Sequence, residues 1–282
     1  MQRKAYKDNI YNMQLSSSEL PEDISEIDLT IFVACYNEED NIAATLDEVF
    51  AALEELRLTH DVIVVDDGSH DASSVKVEEY VRANPHRALR LIRRKQNVGL
   101  GQNFVDAAFW GKGKYYRMVC GDNVEPRQAL ITIWRHIGEA DLIIPYHAHR
   151  PKGRPLFRQA ISWLYTRMIN LLSGYRINYY NGLPIFRRYD VMRWHTYSHG
   201  FGFQADMVTR LLDRGATYLQ VPVEVYDRDA QTSTALTMKN ILSVSHVMLE
   251  IFLRRLAKAL YGRKSRPATP GSVPPSDAQN AR

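Results

Sequence analysis

Cysteine is scarce in this chain: two among 282 residues, Cys35 and Cys120. Both fall inside apolar runs that read as strands. Two buried thiols exclude a disulfide-stapled secreted scaffold and fit a reducing compartment. Long apolar runs are missing too. No stretch reaches the ~18 consecutive apolar residues of a spanning helix. The nearest approach, residues 241–253, is short and carries His246 and Glu250. A mean hydropathy of −0.34 agrees. The first 26 residues are polar and lack the apolar core of a secretory signal, so a cytoplasmic protein is expected. Neither sign of charge dominates: 36 Lys and Arg against 32 Asp and Glu leave a net +4. With 45% hydrophobic and 24% charged residues, disorder throughout and low-complexity architectures are excluded. There is no internal repeat. At ~150 residues per domain, the length suggests two domains or one large α/β unit with an appendage.

What is present alternates. Residues 29–34, 62–65, 89–92 and 116–120 are β-branched and apolar, the pattern of buried strands. Between them lie helical patterns: one from residue 42, with Ile42, Leu46, Val49, Phe50 and Leu53 on one face, then 72–82 and 102–110. Strand and helix in turn predict a doubly wound, mostly parallel sheet with flanking helices. Ligands of such sheets bind at the carboxyl ends of the strands. Tyr36-Asn37-Glu38, Asp66-Asp67 and Gly121-Asp122-Asn123 each follow a strand, so all three can meet at one edge. In the second half, residues 157–172, 204–213 and 238–260 read as helices, and 181–187 and 218–225 as strands. Residues after 266 are rich in Pro, Ser, Ala and Gly, a composition that cannot build a core.

Gly99-Leu100-Gly101 invites a dinucleotide reading. The pattern requires a third glycine where Phe104 stands, and it follows the third strand rather than the first, which argues against a NAD-type site. Asp66-Asp67-Gly68-Ser69 is common turn chemistry when alone. It gains meaning beside Ala34-Cys35-Tyr36-Asn37-Glu38. Together with residues 97–101, the acidic turn at Asp122, Asn181-Gly182-Leu183 and the Arg228 region, the spaced set resembles the family 2 glycosyltransferases, whose fold is the GT-A type. The resemblance covers residues 28–239.

That resemblance implies a donor site for a UDP- or GDP-sugar. Ala34, Tyr36 and Glu38 would hold its base and ribose, Asp67 would accept the N–H of the base, and Asn97 and Gly99 would close over the nucleotide. Most relatives show Asp-x-Asp where this chain has Gly121-Asp122-Asn123. The implied divalent cation, Mg²⁺ or Mn²⁺, would take Asp122 as a ligand, with Asn123 or Glu125 assisting through water. Asp206, within Phe203-Gln204-Ala205-Asp206, is the candidate general base toward a hydroxyl acceptor; His195 and His199 are alternatives. Residues 228–234 resemble the Arg-x-x-Gly-x-Ser-Lys motif of polyprenyl-phosphate sugar transferases. Arg228 and Ser233 match, while Gln231 and Thr234 replace Gly and Lys. Arg228 would hold phosphate.

Two further features concern the acceptor. Between Leu142 and Gln204 stand nine Lys or Arg against the single acid Asp190: Arg150, Lys152, Arg154, Arg158, Arg167, Arg176, Arg187, Arg188 and Arg193. This bias points to an anionic acceptor or an anionic membrane surface rather than nucleic acid. The 238–260 helix carries Ile241, Val244, Met248, Ile251 and Phe252 on one stripe. Arg254, Arg255, Lys258, Arg263 and Lys264 follow. Either the stripe packs on the domain, or the helix attaches peripherally to a membrane with its basic end at anionic lipid.

The expected organisation is a flexible leader at 1–26, a nucleotide-sugar half at 27–140 and an acceptor half at 141–235. An amphipathic helix at 236–262 and a disordered tail at 263–282 complete it. The expected function is inverting sugar transfer from a UDP- or GDP-sugar to an acceptor, a polyprenyl phosphate or another anionic, lipid-linked molecule. The alternative is a catalytically degenerate GT-A fold that binds nucleotides or serves as a scaffold. A nucleotidyltransferase would want a Gly-rich basic loop after the first strand, where this chain is acidic.

Overall fold

A computed structural model describes residues 26–148, 156–193, 202–224, 238–261 and 270–272. The strands among them are β1 (Leu29–Cys35), β2 (His60–Asp66), β3 (Leu89–Arg93), β4 (Tyr115–Cys120), β5 (Leu142–His147), β6 (Ile185–Arg187), β7 (Tyr218–Val223) and β8 (Pro270–Ser272). The helices are α1 (Ile42–Leu56), α2 (Ser73–Ala83), α3 (Leu100–Trp110), α4 (Arg127–Trp134), α5 (Leu156–Ser173), α6 (Arg188–Met192), α7 (Phe203–Asp213) and α8 (Met238–Tyr261). The strands form one sheet in the order β3-β2-β1-β4-β6-β5-β7-β8. Its pairings are parallel except around β6, which runs antiparallel to both β4 and β5. The sheet is mixed but mostly parallel, and helices flank it.

Alternation along the strands builds two apolar layers. Leu29, Ile31 and Val33 of β1 face α1 and α4, where Ile42, Leu46, Phe50, Leu130 and Trp134 are buried. Phe32 faces the other way, into a layer with Phe104, Tyr116 and Met118 that α7 and α8 extend through Phe203, Val208, Val247 and Ile251. The register then sets the functional edge. Cys35 lies beside Asp66 across β1–β2, and Ala34 beside Cys120 across β1–β4. Three strands therefore end level. Chain order reverses between β1 and β4, which opens the crevice where such sheets take ligands.

Three segments were not anticipated from the pattern: α4, β5 and the short α6. Residues 270–272, inside the segment expected to be a disordered tail, pair in parallel with β7 as Tyr218↔Pro270 to Gln220↔Ser272. Of the expected leader at 1–26, residues 1–25 lie outside the described residues.

Candidate active site

The loops after β1 and β2 are laced together. Asn37 takes a left-handed conformation (φ 55°), tolerable for asparagine. Its N–H donates to Ser69 Oγ at 2.9 Å, and its Oδ1 accepts the His70 N–H at 2.9 Å. Glu38 is buried, and its N–H donates to Ser73 Oγ at 2.8 Å. The Glu39 N–H donates to Asp71 Oδ2 at 3.1 Å, while Glu39 Oε2 accepts the Ala72 N–H at 2.7 Å. Burial works to raise the Asp71 pKa, but donors from the Ser73 hydroxyl and backbone outweigh it and hold the carboxyl below its ordinary range. Tyr36 stays 43% exposed at the mouth, an aromatic face open to a planar ligand. Cys35 beneath it is inert: burial pushes its thiol up to about 12.

Asp66 and Asp67 divide their work. Asp66 Oδ1 accepts the Ser69 N–H at 2.9 Å, and its Oδ2 accepts from the Ser74 hydroxyl. Asp67 accepts the Val98 N–H at 2.9 Å on Oδ1 and the Gly99 N–H at 3.0 Å on Oδ2. Gly99 sits at φ 91°, as only glycine does readily. Asp67, expected to meet the base, thus fastens the loop carrying Asn97 and Gly99 to the same edge. Asn97 is exposed.

The third loop is the acidic turn. Gly121 is tightly placed: a Cβ would lie 2.9 Å from the Ala34 carbonyl oxygen and 3.2 Å from Ile42 Cδ1. An acidic side chain at 121 would have to displace β1. The Gly121 N–H donates to Ala34 O at 2.8 Å, and Thr45 Oγ1 of α1 donates to Gly121 O at 2.9 Å. Asp122 projects from this clamped turn, and Asn123 takes φ 55°. Glu125, expected to assist a metal, instead accepts Arg117 Nη2 at 2.5 Å on Oε1. Arg117 is fully buried and also donates from Nε to Leu183 O at 3.0 Å. Burial, with Asp122 and Glu125 nearby, raises the Cys120 thiol well above its usual value.

No cluster of three metal-ligating side chains exists among the described residues. Asp122 nonetheless offers hard carboxylate oxygen at an acid-rich edge shared with Glu38. Mg²⁺-like ions commonly take one or two carboxylates and complete their shell with water and substrate phosphate. The donor set fits such an ion and not a soft, all-protein cage.

The acceptor half departs further from expectation. Asp206 is buried, and both its oxygens are occupied: Oδ2 accepts Arg210 Nε at 2.7 Å and Oδ1 accepts Arg254 Nη1 at 2.7 Å. It lies in an α7–α8 ion-pair seam, so its geometry is that of a structural acid. The basic window disperses as well. Arg187 pairs with Asp141 at 2.6 Å, Arg188 donates to Gly113 O at 2.7 Å, and Arg193 lies 3.8 Å from Asp190. Arg228, His195, His199, Arg150, Lys152 and Arg154 lie outside the described residues. Sequence reasoning gave no role to Asp71 and overlooked Ser73, although the Asp-Gly-Ser-His-Asp-Ala-Ser run is rich in capping residues. It also overlooked Arg117, whose burial in a strand carries no local signal.

A switch-point crevice at the carboxyl edge of a mostly parallel sheet defines a class: an α/β domain that takes its ligand at that edge. The family model described as glycosyl transferase family 2 matches residues 30–200, and the chain belongs to that family. An undecaprenyl-phosphate mannosyltransferase from Micrococcus luteus is 28% identical over 217 residues, covering 71% of this chain and 84% of that one. A dolichyl-phosphate beta-glucosyltransferase from Dictyostelium discoideum is 33% identical over 104 residues. That match spans 35% of this chain and only 32% of the relative's length. Among solved structures, a mannosyltransferase from Pyrobaculum calidifontis in complex with GDP-Man and Mn²⁺ superposes with a TM-score of 0.54 at 16% identity. It covers 94% of this chain and 73% of that one. This likeness establishes the GT-A fold.

Proposed function

We propose that this chain transfers a sugar from a UDP- or GDP-sugar to a polyprenyl phosphate, inverting the anomeric carbon. The observation that carries the reading is the level ending of β1, β2 and β4, which brings Tyr36, Glu38, Asp67 and Asp122 to one crevice. The printed names of the Micrococcus and Dictyostelium relatives support the acceptor class.

In this reading Tyr36 stacks on the base, the Ala34 backbone lines the crevice, and Glu38 accepts from the ribose hydroxyls. Asp67 holds the loop of Asn97 and Gly99 over the nucleotide. Asp122 holds Mg²⁺ or Mn²⁺, which when bound offsets the negative charge developing on the diphosphate. An acceptor phosphate oxygen attacks the anomeric carbon from the face opposite the leaving group. The bond to the diphosphate oxygen breaks, and the nucleoside diphosphate departs with the electron pair. A phosphate is already an anion, so no general base is required. The engagement of Asp206 by two arginines agrees with that. Arg228 is assigned to the acceptor phosphate. A cytoplasmic setting, where two thiols persist, belongs to the same reading.

The test is transfer from labelled UDP- and GDP-sugars to a short-chain polyprenyl phosphate with Mn²⁺ or Mg²⁺. A glycolipid should form, chelation should abolish it, and Asp122→Ala should lower the rate at least ~10²-fold with the fold intact. Full activity of Asp122→Ala with metal present would remove the metal assignment. Nucleotide binding with no transfer from any donor would favour the non-catalytic alternative.

A further inference from the structure

Helices α5 and α8 pack on each other and are apolar on both sides. Inward, Ile169 of α5 and Val247 and Ile251 of α8 are buried in the core. Outward, α5 exposes Phe157, Leu164 and Leu171 at seven-residue spacing, with Trp163 and Met168 beside them; Leu171 is 84% exposed. α8 likewise exposes Leu242, Leu249 and Leu256 at seven-residue spacing, with Phe252 and Leu253 between and Leu260 beyond. A helix with apolar residues on two opposite sides has a second side to cover.

Arg254, Arg255 and Lys258 of α8 are turned away from this outer face. Arg254 reaches Asp206 at 2.7 Å, Arg255 reaches Asp213 at 3.2 Å, and Lys258 lies 3.7 Å from Asp213. Of the expected basic end, these three are spent on α7, and Arg263 and Lys264 lie outside the described residues. The only acid of α8, Glu250, meets Arg210 at 3.3 Å. α5 contains no Asp or Glu at all, and its Arg167 lies over the Trp163 ring, 5.2 Å from the centroid.

We infer that the outer faces of α5 and α8 form one docking surface for a lipid bilayer, which they enter by apolar insertion rather than by attraction to anionic lipid. Charge complementarity selects this occupant. Among the described side chains of the two helices, the exposed ones are apolar apart from Arg167, Ser245, His246 and the Tyr261 hydroxyl, with no exposed carboxylate, which suits acyl chains beneath headgroup phosphates. A second copy of the chain would present the same acid-free face to Arg167. No helix among the described residues is long and apolar enough to cross a membrane, so these helices lie on the bilayer. The inference rests on the proposed lipid-linked acceptor, which the surface would meet at the membrane plane.

The test is co-sedimentation of the full chain with neutral phosphatidylcholine vesicles. Transfer to a water-soluble, short-chain acceptor phosphate is read in parallel. Binding should persist in about 1 M salt, where the Debye length is about 3 Å. The pair Leu171→Glu and Leu249→Glu, both at exposed positions, should weaken partitioning at least about hundredfold, roughly tenfold for each leucine withdrawn from lipid. Transfer to the soluble acceptor should be unchanged. Binding confined to anionic vesicles and lost in salt would overturn the inference. So would a lipid-free dimer that Leu249→Glu converts to monomer. Lost docking with intact transfer removes the surface and keeps the transferase; docking without transfer keeps the surface and removes the transferase.

Discussion

Asp67 carries two backbone hydrogen bonds on one carboxylate, at 2.9 and 3.0 Å. Such charge-assisted bonds are worth more than neutral ones, and an amide in place of the carboxylate offers only one acceptor oxygen. Asp67→Asn should therefore release the Val98–Gly99 loop. The expected stability loss is ~2 kcal/mol by denaturant melt. The KM for the donor should rise more than kcat falls if, as proposed, the loop closes over bound nucleotide in ground and transition states alike. An unchanged KM in steady-state kinetics would detach Asp67 from donor binding. The role was half legible in the sequence. Asp-Asp-Gly-Ser at a strand end announces an acidic turn, but nothing local says that residue 67 answers residues 98 and 99.

At the scale of elements, the α7–α8 seam decides what Asp206 is. Its carboxylate lies between Arg210 and Arg254, and Arg254 also donates to Thr209 Oγ1 at 2.7 Å. Removing one partner of a buried pair leaves the other uncompensated, at about 3–5 kcal/mol. Asp206→Ala should lower the unfolding midpoint accordingly, while kcat measured well below the melting temperature stays at the parent value. A fall in kcat with an unshifted midpoint would restore Asp206 as a base. The helix pattern of α7 and α8 was readable from 3.6-residue periodicity. The facing was not. Of the stripe Ile241, Val244, Met248, Ile251 and Phe252 that sequence analysis singled out, Ile251 is buried and Met248 packs against the core, whereas Phe252 is half exposed.

For the whole molecule, the crevice between β1 and β4 predicts metal-linked nucleotide binding. A ligand that binds only the native state at 100 times its Kd adds ~2.7 kcal/mol of stability. For a chain of this size the melting temperature should rise several degrees. We expect such a rise with UDP or GDP in the presence of Mn²⁺, and a smaller one after chelation or in Asp122→Ala. Equal shifts with and without metal would take the cation out of the donor site. The parallel half of this architecture was visible because β1, β2 and β4 are buried on both faces and read as continuous apolar runs. The antiparallel β6 was not. Its three residues pair with strands far away in the chain, and no local period records that.

The sequence settled what short-range physics controls. Apolar periodicity specified the strands and helices, and acids just past the strand ends placed chemistry at one edge of a parallel sheet. Packing settled which partner each charge meets. Asp206 faces Arg254, 48 residues away, and Glu125 faces Arg117 rather than solvent. α8 turns Arg254, Arg255 and Lys258 inward because α7 supplies Asp206 and Asp213 to receive them, and its leucines are left outside. Periodicity marks which residues share a face, and only the docking of neighbouring elements determines which face is covered.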